Sequence, residues 1–153
     1  MSALVEKQLL GSSADILTSE LNSLAASAWT ALGAAYNNTI AGGGGDGYVQ
    51  ALVRLVCTLA ANATAGSGFN LILAKSLDAG STYEDTSTAS VALNRTFDVF
   101  LPYTTGQATT NVSIPIWLPP GLWKPYGQNT DASHAMTSSG NKVSILPFTR
   151  EIV

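Results

Sequence analysis

The sequence has few charged residues, and this shortage excludes some classes of protein before any pattern is considered. Charged side chains make up 11% of the 153 residues, and the whole chain has only seven Lys and Arg. Seven scattered cations cannot neutralise a row of phosphates, so nucleic acid is not expected as a partner. A weakly charged surface loses little hydration free energy on association, which favours a protein packed against other subunits.

The chain also has one cysteine and one histidine, which limits the chemistry available to it. Cys57 has no second cysteine to pair with, and its place within an apolar run predicts a small buried hydrophobe. His134 lies in a polar stretch typical of a loop, and no G-x-S-x-G motif supplies a serine nucleophile for it. We therefore expect a protein that is not an enzyme, with no catalytic residues and no cofactor.

Long apolar runs are missing as well. No segment approaches the eighteen continuous apolar residues of a membrane-spanning helix, and Glu6 and Lys7 interrupt the stretch where a signal peptide would be apolar. The sequence therefore predicts neither a membrane segment nor secretion by that route.

Two short segments contain residue types found in ligand sites, but both have simpler explanations. The run "GGGGDG" from Gly42 to Gly47 lacks the lysine and the following helix of a phosphate loop, which favours a flexible linker. Asp78, Glu84 and Asp85 could offer oxygen ligands to a cation, but their spacing does not follow an EF-hand loop. A solvated hairpin is the preferred interpretation, and no metal site is predicted.

What the chain has in abundance is alternation of apolar and polar side chains, the pattern of strands with one buried face. The clearest example runs from Tyr48 to Ala60, where every second residue from Val49 to Leu59 is apolar. The same pattern predicts strands in four further segments: Gly68–Lys75, Val91–Tyr103, Asn111–Leu118 and Asn141–Phe148. Pro115 cannot donate a ladder hydrogen bond, so its strand is expected at a sheet edge or with this position turned away from a neighbour.

Short strands separated by turns rich in Gly, Asn, Asp and Ser predict an all-β fold. We expect a single antiparallel β-sandwich over residues 14–153, with a jelly roll as one candidate topology. Residues 1–13 carry apolar side chains ahead of the first secure strand, and they are interpreted as an extended N-terminal arm that orders on a neighbouring subunit. Simple disorder of these residues is the alternative.

The segment from Asp15 to Tyr36 fits two structures. Leu17, Leu21 and Leu24 recur at helical intervals, and Gly33 could end a helix. Partial alternation in the same residues also fits two short strands. The residues alone leave both interpretations open.

Four motifs, taken in order, resemble a recurring family of small tailed-bacteriophage virion proteins known as hypothetical or structural proteins. They are "TSELNSLAASAWTALGAAYNNT", "YVQALVRLV", "SLDAGSTYED" and a late "LPPG" corner, and the likeness extends from about Leu17 to Phe148. The chain departs from the family at Asp78-Ala79-Gly80, where Asp-Gly is typical. The resemblance implies a virion component with a β-sandwich fold and paired strands in the first segment.

Size and composition add a more specific hypothesis to this resemblance. A small, weakly charged β-sandwich suits a capsid decoration or cement protein, located in the virion after synthesis in the host cytoplasm. Its expected partners are the major capsid protein or other virion proteins, and we expect a homo-oligomer, with a trimer as one option. A tail, neck or baseplate component with the same fold is the second structural hypothesis.

Three aromatic residues near the "LPPG" corner provide the candidate contact site. Trp117, Trp123 and Tyr126 are interpreted as a cover for the end of the core or as a subunit interface, because aromatic rings contribute large contact area at small entropic cost. The rival hypothesis is a platform on which sugar rings stack, which would make the protein a carbohydrate-binding module for host recognition.

Overall fold

The alternating apolar positions of the sequence form the facing surfaces of two antiparallel sheets. The computed structural model describes residues 6–38, 47–83 and 97–152. Its strands are β1 (Glu6–Leu10), β2 (Ala14–Leu17), β3 (Tyr36–Asn38), β4 (Gln50–Thr58), β5 (Gly68–Lys75), β6 (Asp98–Pro102), β7 (Thr109–Trp117), β8 (Gly121–Asn129) and β9 (Lys142–Ile152). A single 3-10 turn at Ser19–Leu21 is the helical element of these residues.

The strand order is that of a jelly roll. One sheet runs β1-β9-β4-β7, with β2 also paired to β9, and the other runs β3-β8-β5-β6. The antiparallel partners are nested, because β2 pairs with β9, β3 with β8, β4 with β7 and β5 with β6. A long hairpin with this nesting, rolled up so that β4 meets β9 and β5 meets β8, produces the two Greek keys of the jelly roll. The prediction of an antiparallel β-sandwich is confirmed.

The core lies between the inner faces of the two sheets, where period-two patterns predicted it. In β4, Ala51, Val53, Leu55 and Cys57 are fully buried while the residues between them face outward. Cys57 is thus the small buried hydrophobe that its sequence context predicts, and burial raises the pKa of its thiol to about 12. The inner face of β5 contributes a similar apolar row: Phe69, Leu71 and Leu73.

The other predicted strands are also present where the structure describes them. β7 is an edge strand, so the missing donor of Pro115 is accommodated as predicted. β6 covers the end of the predicted strand Val91–Tyr103, whose residues 91–96 lie outside the described residues.

The ambiguous segment before β3 is not an α-helix. Only β2 and β3, at its two ends, are regular strands, and an isolated bridge joins Trp29 to Gln128. Leu21 and Leu24 are buried, which explains their apolar character without helical periodicity. Ser23 and Ser27 adopt φ values of 59° and 58°, which an α-helix does not allow. The helical interpretation is therefore wrong because these leucines fill the core from an irregular chain.

The proline-rich corner is followed by a central strand that the sequence patterns did not predict. Gly121 turns the chain after Pro119 and Pro120 with a φ of 105°, and β8 begins there. Pro125 lies inside this strand, and its carbonyl accepts a hydrogen bond from Gly33. Because the N–H and C=O of a strand residue point to the same side, the donor that Pro125 lacks would have faced Gly33 and not β5. A proline in a central strand is tolerated for this reason.

The N-terminal segment lies along the C-terminal strand. Residues 6–10 form β1, which pairs with Phe148–Ile152 of β9 within the same chain. The predicted arm, residues 1–13, thus includes an edge strand of the larger sheet, and its residues 1–5 lie outside the described residues.

Gly127 supplies a test of how closely β8 approaches β5. A Cβ on Gly127 would collide with the carbonyl oxygen of Asn70 and would lie 2.5 Å from Cζ of Phe69. We expect Gly127→Ala to lower the free energy of unfolding by about 3 kcal/mol, since a backbone oxygen and a core ring must both shift. Chemical denaturation measures this loss.

Gly106→Ala is the matched control. No heavy atom lies within 4 Å of a Cβ at Gly106, although its φ is 74°. Only the backbone conformation then costs free energy, about 1 kcal/mol. Equal losses for the two variants would contradict the close approach of β8 to β5.

Candidate functional site

The outer face of the five-stranded sheet carries the most distinctive surface of the described residues. Residues paired in register across an antiparallel sheet point to the same side, so each register row can be followed across the strands. In β4 the buried residues alternate with Gln50, Leu52 and Arg54, which must therefore lie on the outer face. Four strands at the usual spacing of about 4.8 Å make this face about 15 Å wide.

Two adjacent rows of this face are mostly apolar. One row contains Leu10, Phe148, Gln50 and Trp117, and the next contains Leu146, Leu52 and Pro115. We call the six apolar residues of these rows the apolar band. Trp117 is 59% exposed and Leu10 is 61% exposed, so the two ends of the band are open to solvent.

The following rows of the same face are polar. Asp15, Ser144, Arg54 and Ser113 form one row across four strands, and Lys142 and Asn111 flank Val56 in the next. The polar side chains of these rows line a groove of about 510 Å³, and Leu52 and Leu146 of the apolar band line it as well. The outer face thus changes from apolar to polar along the strands.

The charges in this groove are mostly paired within the protein. Ser144 donates to Asp15 at 2.6 Å, and Nζ of Lys142 lies 3.3 Å from the same carboxylate. The hydrogen bond from Ser144, more than the neighbouring Lys142, lowers the pKa of Asp15. Nε of Arg54 donates to Asn111 at 2.9 Å. The groove therefore presents hydrogen-bonding groups with little net charge.

The three aromatic residues of the candidate contact site do not form one surface. Trp117 is exposed at the edge of the apolar band, whereas Trp123 is fully buried in the core and stacks on Tyr36 with ring centroids 4.7 Å apart. Tyr126 is 1% exposed and packs with Trp29 on the outer side of the other sheet. Alternation along β8 sends Trp123 and Tyr126 to opposite faces, and neither ring is accessible to a sugar. A platform made of all three rings is excluded, and Trp117 alone remains available for contact.

His134 and a carboxylate do come together, although the sequence marks no partner for this histidine. Nδ1 of His134 lies 3.2 Å from Oδ1 of Asp131, without the geometry of a hydrogen bond. The hydroxyl oxygen of Ser67 lies 3.0 Å from Asp131 and 2.7 Å from the Thr64 carbonyl oxygen, so these two acceptors share its one proton. Ser67 is therefore bonded to the carboxylate and not to the imidazole, which is unlike the order of a catalytic triad.

Asp131 has a structural role at this end of the sandwich. Its side chain is fully buried and accepts hydrogen bonds from the backbone N–H groups of Thr64, Ser133 and His134, each at 2.9 Å. Burial by itself would raise the pKa of Asp131, but these bonds and that from Ser67 outweigh it and hold the pKa well below its usual range. The carboxylate joins the β4–β5 loop to the β8–β9 loop.

Asn129 extends this connection to two further parts of the chain. Its carbonyl oxygen accepts from the hydroxyl of Tyr103 at 3.0 Å, and its amide donates to the carbonyls of Ala25 and His134. Asn129 and Asp131 are thus the polar residues that hold this end of the sandwich together. Their bonds to Ser133 and His134 are those of an ordinary local turn, and the partners that connect separate parts of the chain are distant in sequence, so no motif spacing marks this role.

The remaining sequence candidates lie partly outside the described residues. Asp78 accepts from the N–H of Thr82 and so stabilises a turn, while Glu84 and Asp85 lie outside the described residues. Residues 42–46 of the glycine run also lie outside them. Among the residues that are described, no three His, Cys, Asp or Glu side chains form a group that could hold a metal ion.

Fold and site together define a jelly-roll β-sandwich with an apolar band and a polar groove on one outer face. Over the described ranges, no helix has the length and apolar character needed to cross a membrane. Comparison with family models, curated proteins and solved structures finds no match for the chain.

Asp131→Asn tests the structural role of the buried carboxylate. An amide nitrogen in this position would face N–H or O–H donors whichever way it turns, so at least one buried donor loses its acceptor. We expect the free energy of unfolding to fall by about 2–4 kcal/mol. Asp15→Asn, a change at a half-exposed carboxylate, is the control and should cost less than about 1 kcal/mol. Similar losses of stability in the Asp131→Asn and Asp15→Asn variants would show that the hydrogen bonds to Asp131 do not stabilise the fold.

The pH dependence of stability provides an independent test of Asp131. Its folded pKa is lowered, so its contribution is complete above the unfolded value of about 3.9 and is lost as pH falls towards the folded pKa. Between pH 6 and pH 3 we expect the wild-type chain to lose more stability than the Asp131→Asn variant. Denaturation midpoints measured at each pH give the stability of both chains. Parallel curves of midpoint against pH for the wild-type chain and the Asp131→Asn variant would contradict the larger loss expected for the wild-type chain.

Proposed function

We propose that this chain is a non-enzymatic structural protein of a bacteriophage virion, and specifically a capsid decoration protein that binds the major capsid protein lattice. The observation that carries the proposal is the apolar band on the outer face of the five-stranded sheet, with the indole of Trp117 open to solvent. The resemblance to small tailed-phage virion proteins supplies the biological setting.

The apolar band has the physical character of an adhesion surface. Removing apolar area from water contributes a favourable free energy of about 25 cal/mol per Å². An exposed tryptophan at a sheet edge is the kind of side chain that contributes most of the binding free energy in protein interfaces. Trp117 is the large aromatic at one end of the band, and Leu52 and Leu146 extend the contact across the sheet. A partner that covers the band would gain contact area without any rearrangement of the sandwich.

The polar groove beside the band suits the same role. Asp15 is satisfied by Ser144 and Lys142, so covering the groove leaves no isolated carboxylate without a partner. Directional groups such as Arg54 and Asn111 can then fix the register of the partner. An apolar area for affinity next to a polar area for orientation resembles the core and rim of a protein interface.

The arrangement around His134 supports a non-enzymatic role. Both oxygens of Asp131 are occupied by donors from the protein, and Ser67 is hydrogen-bonded to the carboxylate and to a backbone carbonyl. The hydroxyl of Ser67 thus has no contact with the imidazole, and the carboxylate that it does contact is a weak base because its pKa is held well below the usual range. The jelly roll agrees with a virion role by analogy, since viral capsid domains use it, as lectins and cupins also do.

A carbohydrate-binding role is the alternative favoured by one observation. An exposed Trp117 lies on the same face as a groove lined by Asp15, Arg54 and Asn111, and sugars are bound by stacking together with hydrogen bonds to such side chains. A glycan array with the purified protein distinguishes this role from lattice binding.

Copy number in purified particles tests the main proposal. A decoration protein is present in hundreds of copies, so a stained gel of virions should show it at a level comparable with the major capsid protein. A few copies per particle would instead support a tail, neck or baseplate component, and absence from particles would contradict any virion role.

Trp117→Ala tests the apolar band. We expect binding to heads that lack the protein to weaken about 30-fold, equivalent to about 2 kcal/mol, because the band loses its largest exposed side chain. The melting temperature should change little, since Trp117 is exposed. Co-sedimentation with heads measures the affinity.

Leu77→Ala is the matched control for this experiment. Leu77 is 68% exposed but lies outside the band, in the loop that follows β5 of the other sheet. Its removal should leave head binding unchanged. Equal effects of the two substitutions, or none from Trp117→Ala, would contradict the assignment of the band as the lattice contact.

A further inference from the structure

The last strand of the sandwich is longer than the strand beside it. β4 covers β9 from Lys142 to Phe148, whereas β1 covers β9 from Phe148 to Ile152. Within the described ranges, β1 and residues 149–152 therefore form a two-stranded ribbon with no third strand. Such a ribbon is marginally stable in water, and its open edges present unpaired N–H and C=O groups to other chains.

The ribbon is joined to the sandwich by a short hinge. β1 ends at Leu10 and β2 begins at Ala14, so Gly11–Ser13 is the whole connection between two strands on the same edge of β9. The N–H of Gly11 donates to the Pro147 carbonyl at 2.8 Å, and a Cβ at Gly11 would lie 2.8 Å from the ring of Tyr48. Short hinges between strands favour exchange of the strand between identical chains.

An exposed hydrophobe marks the base of the ribbon. Leu10 is the last residue of β1 and is 61% exposed, although it lies opposite Phe148, which is 8% exposed. A leucine next to a hinge is left open in the single chain but would be covered where the hinges of two copies meet. This exposure is a second observation, independent of the strand lengths, that points to a contact between copies.

We propose that β1 is exchanged between copies of this chain, so that Glu6–Leu10 of one copy pairs with Phe148–Ile152 of another in place of that copy's own strand. Every hydrogen bond between β1 and β9 is kept, because the receiving edge is identical in each copy. The exchange costs the free energy of bringing two copies together, and burial of apolar area near Leu10 offsets this cost. The exchange concerns contacts between copies and shares only Leu10 with the apolar band, so the proposed capsid contact at Trp117 does not decide it.

Two single-cysteine chains test the exchange directly. Gln8 and Arg150 are register partners in β1 and β9, so Gln8→Cys and Arg150→Cys chains are refolded together at high concentration and oxidised. A disulfide between a cysteine at position 8 of one chain and one at position 150 of another requires β1 to lie on the second copy. Cys57 does not compete, since it is buried and burial raises its pKa to about 12.

The control is a pair on the strand that is not exchanged. Asp15 and Ser144 are register partners in β2 and β9, and a mixture of Asp15→Cys and Ser144→Cys chains is treated in the same way. We expect about tenfold more mixed disulfide from the first pair, because exchange holds its two sulfurs together while the second pair meets only by collision. Non-reducing gels and mass spectrometry of the linked peptides measure both yields.

Two outcomes would overturn the exchange. One is an equally low yield from both mixtures, and the other is a Gln8→Cys/Arg150→Cys double variant that forms only the intrachain disulfide at the same concentration. If one of these chains misfolds by circular dichroism, Lys7→Cys and Glu151→Cys provide a second pair in the same register. A short Gly-Ser insertion after Ser12 should lower the mixed yield several-fold, because a longer hinge allows each β1 to remain on its own chain.

Discussion

The apolar contact between the inner faces of the two sheets is the constraint on which the rest of this structure depends. Ala51, Val53 and Leu55 of β4 face the other sheet, where Phe69 and Leu71 of β5 are equally buried. Because side chains alternate along a strand, burying one face commits the other face of the same strands to the outside. The outer surface of the five-stranded sheet, with its apolar band and groove, is therefore a direct consequence of the core.

Polar residues add to the apolar core at the end of the sandwich where several loops meet. The carboxylate of Asp131 accepts hydrogen bonds there, and the side chain of Asn129 both accepts and donates them. Most of their partners are backbone groups, which would be unsatisfied if these side chains were replaced by apolar ones. A buried carboxylate close to a histidine and a serine is thus explained by the needs of the fold.

Adhesion by this protein would use two separate features of the same sheet. Most of the apolar band lies on β4, β7 and β9, whereas β1, which contributes only Leu10 to the band, lies at the edge and is attached through a short hinge. A rigid face suits a lattice of fixed geometry, and an exchangeable strand suits contacts between copies. The two proposals share Leu10 but can fail separately, because one is tested at Trp117 and the other at the pairing of β1 with β9.

The sequence by itself determined the class of fold, since alternation in segments such as Tyr48–Ala60 requires strands with one buried face, and it also determined the buried state of Cys57. Tertiary structure decided several features that local sequence patterns do not predict. The leucines between β2 and β3 follow helical spacing yet fill the core from an irregular chain, and Pro125 lies in a central strand because its missing donor faces Gly33. Trp123 and Tyr126 lie on β8 in the other sheet from Trp117, and alternation along β8, a strand that its proline made hard to predict, sends these two rings to opposite faces. His134 lies beside Asp131 within one loop, but Ser67 and Thr64 reach this carboxylate only because the rolled hairpin brings distant loops to one end, and periodicity in the sequence does not predict such contacts.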